Sequence, residues 1–176
     1  VRQLINAHND KLTKSEYLDV IEAKTAVLFE ASSHTAAVLA KVDDAQRSAL
    51  QKYGMKLGLT FQLIDDLLDY DGDADEMGKN VGDDLQEGKM TLPLIYTLEH
   101  AKPEDAAMIH QAVTENDHDH LDDIIKLVKT SGALEYTRNQ ALIEAAAARD
   151  LLVALPTNKY RQALDDLVEL AVNRSN

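Results

Sequence analysis

This sequence predicts an all-α fold, and three observations carry that prediction. Apolar residues recur at intervals of three and four along most of the chain, the spacing of one helix face. Helix-entry patterns precede the periodic stretches, and glycine or proline clusters separate them. No convincing β-run and no internal repeat is present.

The elements follow in order. Thr13-x-x-Glu16 is a capping box, in which the hydroxyl serves a free amide and the glutamate reaches back to the capping residue. It opens a helical segment expected to run to about Leu39. Val20, Ile21, Ala23, Val27 and Leu28 form its apolar face. Asp43 and Asp44 can cap a second helix through about Tyr70, roughly 40 Å long at 1.5 Å per residue. Gly72, Gly78, Gly82 and Gly88 then mark a long polar loop, with a short turn at Asp83–Gln86. Further helices are expected at about 91–101, 104–115, 119–130, 133–154 and 158–173, with Pro103 and Pro156 at the starts of two of them.

The 176 residues suffice for one all-helical domain over 1–176, and a hydrophobic fraction of 45% supplies its core. The absence of cysteine excludes a disulfide framework and a Cys-type zinc site, and suits a cytoplasmic protein. No run approaches the ~20 apolar residues of a membrane span, and no secretory signal is visible at Val1. A formal charge of -13 argues against nucleic acid or an anionic membrane surface as partner. A phosphate ligand remains compatible with it, because acidic residues can hold cations and the cations hold the phosphates.

The stretch from Gly58 to Tyr70, Gly-Leu-Thr-Phe-Gln-Leu-Ile-Asp-Asp-Leu-Leu-Asp-Tyr, carries the strongest chemical signal. Asp65, Asp66 and Asp69 stand inside an apolar helical run that has no structural need of them. Asp65 and Asp69 lie one turn apart on one face, and Asp66 is a further turn-neighbour of Asp69. Like charges so placed repel by a few tenths of a kcal/mol per exposed pair, and by more when desolvated. A bound cation relieves that repulsion. Oxygen-only ligands favour Mg2+ or Mn2+, which complete their shells with water and phosphate oxygens. Gln62, one turn earlier, can orient a carboxylate or a metal-bound water.

The Asp-Asp-x-x-acid pattern alone is weak, since 31 Asp plus Glu produce chance matches at Asp83–Glu87 and Asp165–Glu169. The latter reads as a solvated helix face. Context distinguishes the first hit: Phe61-Gln62 precede it, and a Gly- and Lys-bearing loop with Lys79 and Lys89 follows. Lysine is a compact cation suited to phosphate, although loop lysines are ordinarily just solvated. Lys24 and Thr25 fall on an apolar helix face, where a lysine must snorkel or meet an anion. Asp71, Asp73 and Asp75 alternate like a calcium loop, but Glu76 and Gly82 occupy positions six and twelve and exclude an EF-hand. His118 and His120 lie in a polar segment with no third ligand nearby. Gly54 and Gly58 have the small-xxx-small spacing that permits close backbone approach.

Taken together these segments resemble the second aspartate-rich motif of the trans-isoprenyl (polyprenyl) diphosphate synthases. That motif reads Phe-Gln-x-x-Asp-Asp-x-x-Asp, then Gly-Lys-x-x-Gly-x-Asp-Leu, then Gly-Lys-x-Thr-Leu-Pro, and every element is present here in order. Glu22 to Phe29 resembles the family's Lys-Thr segment, and Leu155 to Leu164 its C-terminal segment. The resemblance implies an isoprenoid-synthase-type helical bundle, usually homodimeric, with two Asp-rich helices facing across a cavity. It implies Mg2+ on Asp65, Asp66 and Asp69, catalytic parts for Lys24, Thr25, Gln62, Asp65 and Lys79, and diphosphate contacts from Lys24, Thr25, Gln62, Lys79 and Lys89. The implied reaction adds isopentenyl diphosphate head-to-tail to an allylic diphosphate. The product would be a long all-trans chain such as octaprenyl diphosphate, for a quinone side chain. The family's first Asp-rich motif and its arginine pair are not found here, and the chain starts at Val1. The expectation is therefore a C-terminal part of a longer synthase, inactive alone. A regulatory subunit of a heteromeric synthase, or a helical interaction module, is the competing reading.

Overall fold

The computed structural model describes residues 8–71, 81–115 and 119–174, and every regular element among them is helical. Lys79, with Gly72, Asp73, Asp75, Glu76, Gly78 and His118, lies outside the described residues. The chain forms α1 (Lys14–Ile21), a π-helical segment (Glu22–Ala26), α2 (Val27–Leu39) and the long α3 (Asp44–Asp71). After it come α4 (Asp83–Gln86), α5 (Leu92–His100), α6 (Pro103–Glu115), α7 (Leu121–Thr130) and α8 (Ala133–Leu151). A 3₁₀ turn (Leu152–Ala154) leads to α9 (Lys159–Asn173).

Local chemistry sets the boundaries. The capping box forms as its sequence predicts: the Thr13 amide donates to Glu16 Oε2 at 2.9 Å, and the Glu16 amide donates to Thr13 Oγ1 at 3.3 Å. Asp43 Oδ1 caps α3 by accepting from the Gln46 amide at 2.8 Å. Asn158 caps α9, its side-chain oxygen accepting from the amides of Tyr160 and Arg161 at 2.9 and 3.0 Å. Gly82 enters α4 at φ 84°, a left-handed conformation open to glycine at little cost.

One element departs from the sequence reading. The helix from Thr13 to Leu39 is interrupted by the π segment, where the Val27 amide reaches the Glu22 carbonyl five residues back. The wider turn shifts the register of everything after it. Ile21 is buried, as its spacing predicts, but Ala23, Val27 and Leu28 are exposed. Lys24 is exposed as well and is not enclosed by an apolar face.

Two compact units result. The first comprises Val1–Val20, Asp65–Arg138 and Ser175–Asn176. Its buried side chains include Tyr17, Leu67, Tyr70, Leu85, Leu92, Ile109, Val113, Ile124 and Val128. Here α4 packs on α6, and α5, α6 and α7 pack on one another. The second comprises Ile21–Ile64 and Asn139–Arg174. Tyr53, Leu57, Ala145, Ala148, Leu152, Val168 and Ala171 form its core, with Phe29 and Leu164 packed against them. The Tyr53 hydroxyl donates to the Leu164 carbonyl at 2.7 Å, and Lys56 pairs with Glu144 at 2.7 Å. Each large apolar side chain so buried stabilises by about 1.5–3 kcal/mol.

Gly58 allows α3 to approach the π segment closely. A Cβ at that position would stand 2.6 Å from the Ala26 Cα, which is backbone, and 3.1 Å from its Cβ. Gly58→Ala is therefore expected to destabilise the fold by about 1–3 kcal/mol through overpacking. Urea unfolding measures it, and a variant within ~0.5 kcal/mol of wild type would show that this contact is slack.

Candidate active site

The acidic end of α3 is built in the first unit. Asp66 is 3% exposed, while Asp65 and Asp69 are half-buried. Withdrawing a carboxylate this far requires a hydrogen-bond donor, and the Tyr17 hydroxyl donates to Asp66 Oδ2 at 2.6 Å. Burial, then the charges of Asp66, Asp84 and Asp65, hold the Tyr17 hydroxyl well above its ordinary value, so it stays a donor.

Asp69 meets a second acid. The Asp84 amide donates to both Asp69 oxygens at 3.4 and 3.3 Å, and the Gly82 amide donates to the Asp69 carbonyl at 2.8 Å. Burial, then the Asp84 charge, push the Asp69 carboxyl up from 3.8 to about 7, against the lowering effect of the Asp84 amide. Lys89 balances Asp84, with Nζ at 2.8 Å from Asp84 Oδ1 and 2.5 Å from Glu87 Oε2. Burial lowers the Lys89 pKa, but hydrogen bonds to Asp84 and Glu87 outweigh it and the net shift is upward. The loop lysine read as a phosphate contact thus faces two carboxylates. Among the described residues, no three His, Asp or Glu side chains converge to hold one ion. These carboxylates therefore offer part of a coordination shell, in keeping with an ion that takes its other ligands from water and diphosphate.

In the second unit, the Thr25 hydroxyl donates to Gln62 Oε1 at 2.6 Å. Gln62 is 3% exposed, so the π segment and α3 fix one another there. Thr25 is half-buried, and Lys24 beside it extends toward solvent. The guanidinium of Arg174 lies 3.9 Å over the Phe61 ring and donates to the Phe61 carbonyl at 3.1 Å.

Structure and sequence agree on Thr25 with Gln62 and on the acids of α3. Tyr17, Asp84 and Arg174 escaped the sequence reading. Asp84 was legible, as the aspartate of the Gly82-x-Asp84-Leu85 frame. Tyr17 falls among apolar helix positions and carries no local signal. The chance match at Asp165 and Glu169 is a surface pair to Arg149, whose Nε lies 3.0 Å from Asp165 Oδ1. His120 stands 3.6 Å from Asp123 in the first turn of its own helix and belongs to no metal cluster.

Comparison with known proteins resolves what this acid cluster belongs to. The sequence model of the polyprenyl synthetase family matches residues 1–130. The chain belongs to the polyprenyl synthetase family. It is 44% identical to octaprenyl diphosphate synthase of Escherichia coli K12 over 175 residues, covering 99% of this chain and 54% of that enzyme. It is 41% identical to the geranyl-diphosphate-specific all-trans-nonaprenyl-diphosphate synthase of Rhodobacter capsulatus, covering 99% of this chain and 53% of that one. The fold matches the crystal structure of a Caulobacter crescentus polyprenyl synthase complexed with calcium and isoprenyl diphosphate. The TM-score is 0.93 at 41% identity, over 99% of this chain and 54% of that one. This family member spans about half the length of the curated relatives it matches. No helix among its described residues is long and apolar enough to cross a membrane.

The Asp69 shift has a measurable consequence. A carboxyl raised in the fold contributes most stability below its unfolded value near 3.8, and that contribution is lost as pH rises through about 7. Without metal, the urea midpoint of wild type relative to Asp69→Asn is expected to fall across that window. Mg2+ should restore it at the alkaline end, because the ion binds only the ionised carboxylate. A midpoint difference independent of pH would show that Asp69 titrates normally.

Proposed function

We propose that this chain carries the metal-and-diphosphate side of a trans-polyprenyl diphosphate synthase. The observation that carries the reading is the close set Asp65, Asp66, Asp69 and Asp84 at the end of α3, within a family whose members are prenyl synthases by name. Acids withdrawn from water beside one another are costly to maintain, and a divalent cation offsets that cost.

Mg2+ would be held by Asp65, Asp66 and Asp69, with Asp84 beside them. Bound there, it would neutralise the diphosphate leaving group as the allylic C–O bond ionises. Lys24 and Lys79 add positive charge for the diphosphate, and Lys89 restrains Asp84 and is near enough in sequence to share that task. Gln62 holds the Thr25 hydroxyl so that its oxygen dipole faces the developing allylic cation. Isopentenyl diphosphate attacks that cation through its double bond, a new C–C bond forms, and loss of a proton restores the alkene. Names of relatives support a long all-trans product of the octaprenyl class. The family resemblance supports a homodimer working in the cytoplasm on a quinone side chain.

Calorimetric titration tests the site. Mg2+ should bind weakly alone and more tightly once pyrophosphate supplies further oxygens. Asp65→Ala with Asp69→Ala should abolish the metal-dependent binding of pyrophosphate; unchanged binding would remove these residues from the site. In a full-length version that elongates, Lys79→Ala should slow turnover by about tenfold to a thousandfold, the effect of losing ~1.4–4 kcal/mol of charge stabilisation. Asp165→Ala, in the surface pair with Arg149, should stay within about twofold on the same scale. Equal effects of the two substitutions would favour the interaction-module reading.

A further inference from the structure

We propose that Tyr17 is a positioning residue for the ion-binding acids, acting through Asp66; this rests on the reading of Asp65, Asp66 and Asp69 as ion ligands. The ring of Tyr17 is 2% exposed and its hydroxyl donates to Asp66 Oδ2 at 2.6 Å. That length falls in the range of a hydroxyl bonded to an ionised carboxylate.

A buried tyrosine must find a partner for its hydroxyl, and this fold shows what an ordinary solution looks like. Tyr53, also 2% exposed, donates to a backbone carbonyl, that of Leu164, at 2.7 Å. Tyr17 instead spends its hydrogen bond on a side chain, and that side chain is the most buried of the three acids. The terminal torsion of an aspartate is broad. A phenol immobilised in the core narrows it by fixing one oxygen, and so fixes the plane in which the carboxylate meets an ion. Donors that orient a metal ligand in this way matter to affinity by about tenfold to a hundredfold.

The phenylalanine variant isolates the hydroxyl, because the ring and its packing are kept. Mg2+ is titrated calorimetrically into the 176-residue chain at fixed pyrophosphate, with helical content followed by circular dichroism. Tyr17→Phe is expected to raise the apparent Kd for Mg2+ by about tenfold or more while helical content is kept. Tyr53→Phe, which also deletes a buried hydroxyl, should stay within about twofold of wild type if burial alone is not the cause. Asp66→Asn should weaken Mg2+ by itself, and adding Tyr17→Phe to it should weaken Mg2+ no further, since the two act as one unit. Additive losses, or Tyr17→Phe within about twofold of wild type, would overturn the positioning role alone. Wild type without any Mg2+-dependent pyrophosphate binding would overturn the site reading, and the positioning role with it.

Discussion

The carboxylate of Asp66 is 3% exposed, so its charge has to be satisfied from within the protein, and Tyr17 does so at 2.6 Å. Much of the first unit follows from that arrangement. A residue of α1 is bound to the end of α3, so the approach of the chain to α3 is fixed before the π segment begins. Asp69, one turn further on, is then held close to α4 by the amides of Gly82 and Asp84. Lys89 closes the group by engaging Asp84 and Glu87.

These acids act as one field. Tyr17, Asp69 and Tyr70 are all displaced upward, first by burial and then by overlapping sets of the same carboxylates. Such a potential has no structural benefit and opposes folding in the absence of a cation. Proteins retain local conflicts of this kind where function requires them. The surface acids Asp165 and Glu169 show the contrast. They match the same spacing but sit in water with Arg149, where an ion pair contributes little.

Helix boundaries were legible in the sequence because each depends on chemistry within a few residues. Thr13 with Glu16, Asp43 with Gln46, and Asn158 with Tyr160 are all local bonds. The acids of α3 were legible for a related reason, since charge inside an apolar run is visible without a fold. The partner of Asp66 was not, because Tyr17 is 49 residues away and its apolar setting looks like any other core position. The π segment was equally hidden. Its residues, Glu-Ala-Lys-Thr-Ala, are ordinary helix formers, and its wider turn is set by what the segment packs against.

That wider turn makes the length of the segment matter more than its composition. Each residue of a helix advances the chain by about 100°. Deleting one residue between Glu22 and Ala26 would let α1 and α2 join as a single regular helix, and every side chain beyond the cut would rotate by that angle. Thr25 or its replacement would then turn away from Gln62, and Phe29 would leave the core it packs against. Homologous chains can therefore exchange residue types across this stretch while gaining or losing none, and a one-residue gap here would separate lineages by mechanism.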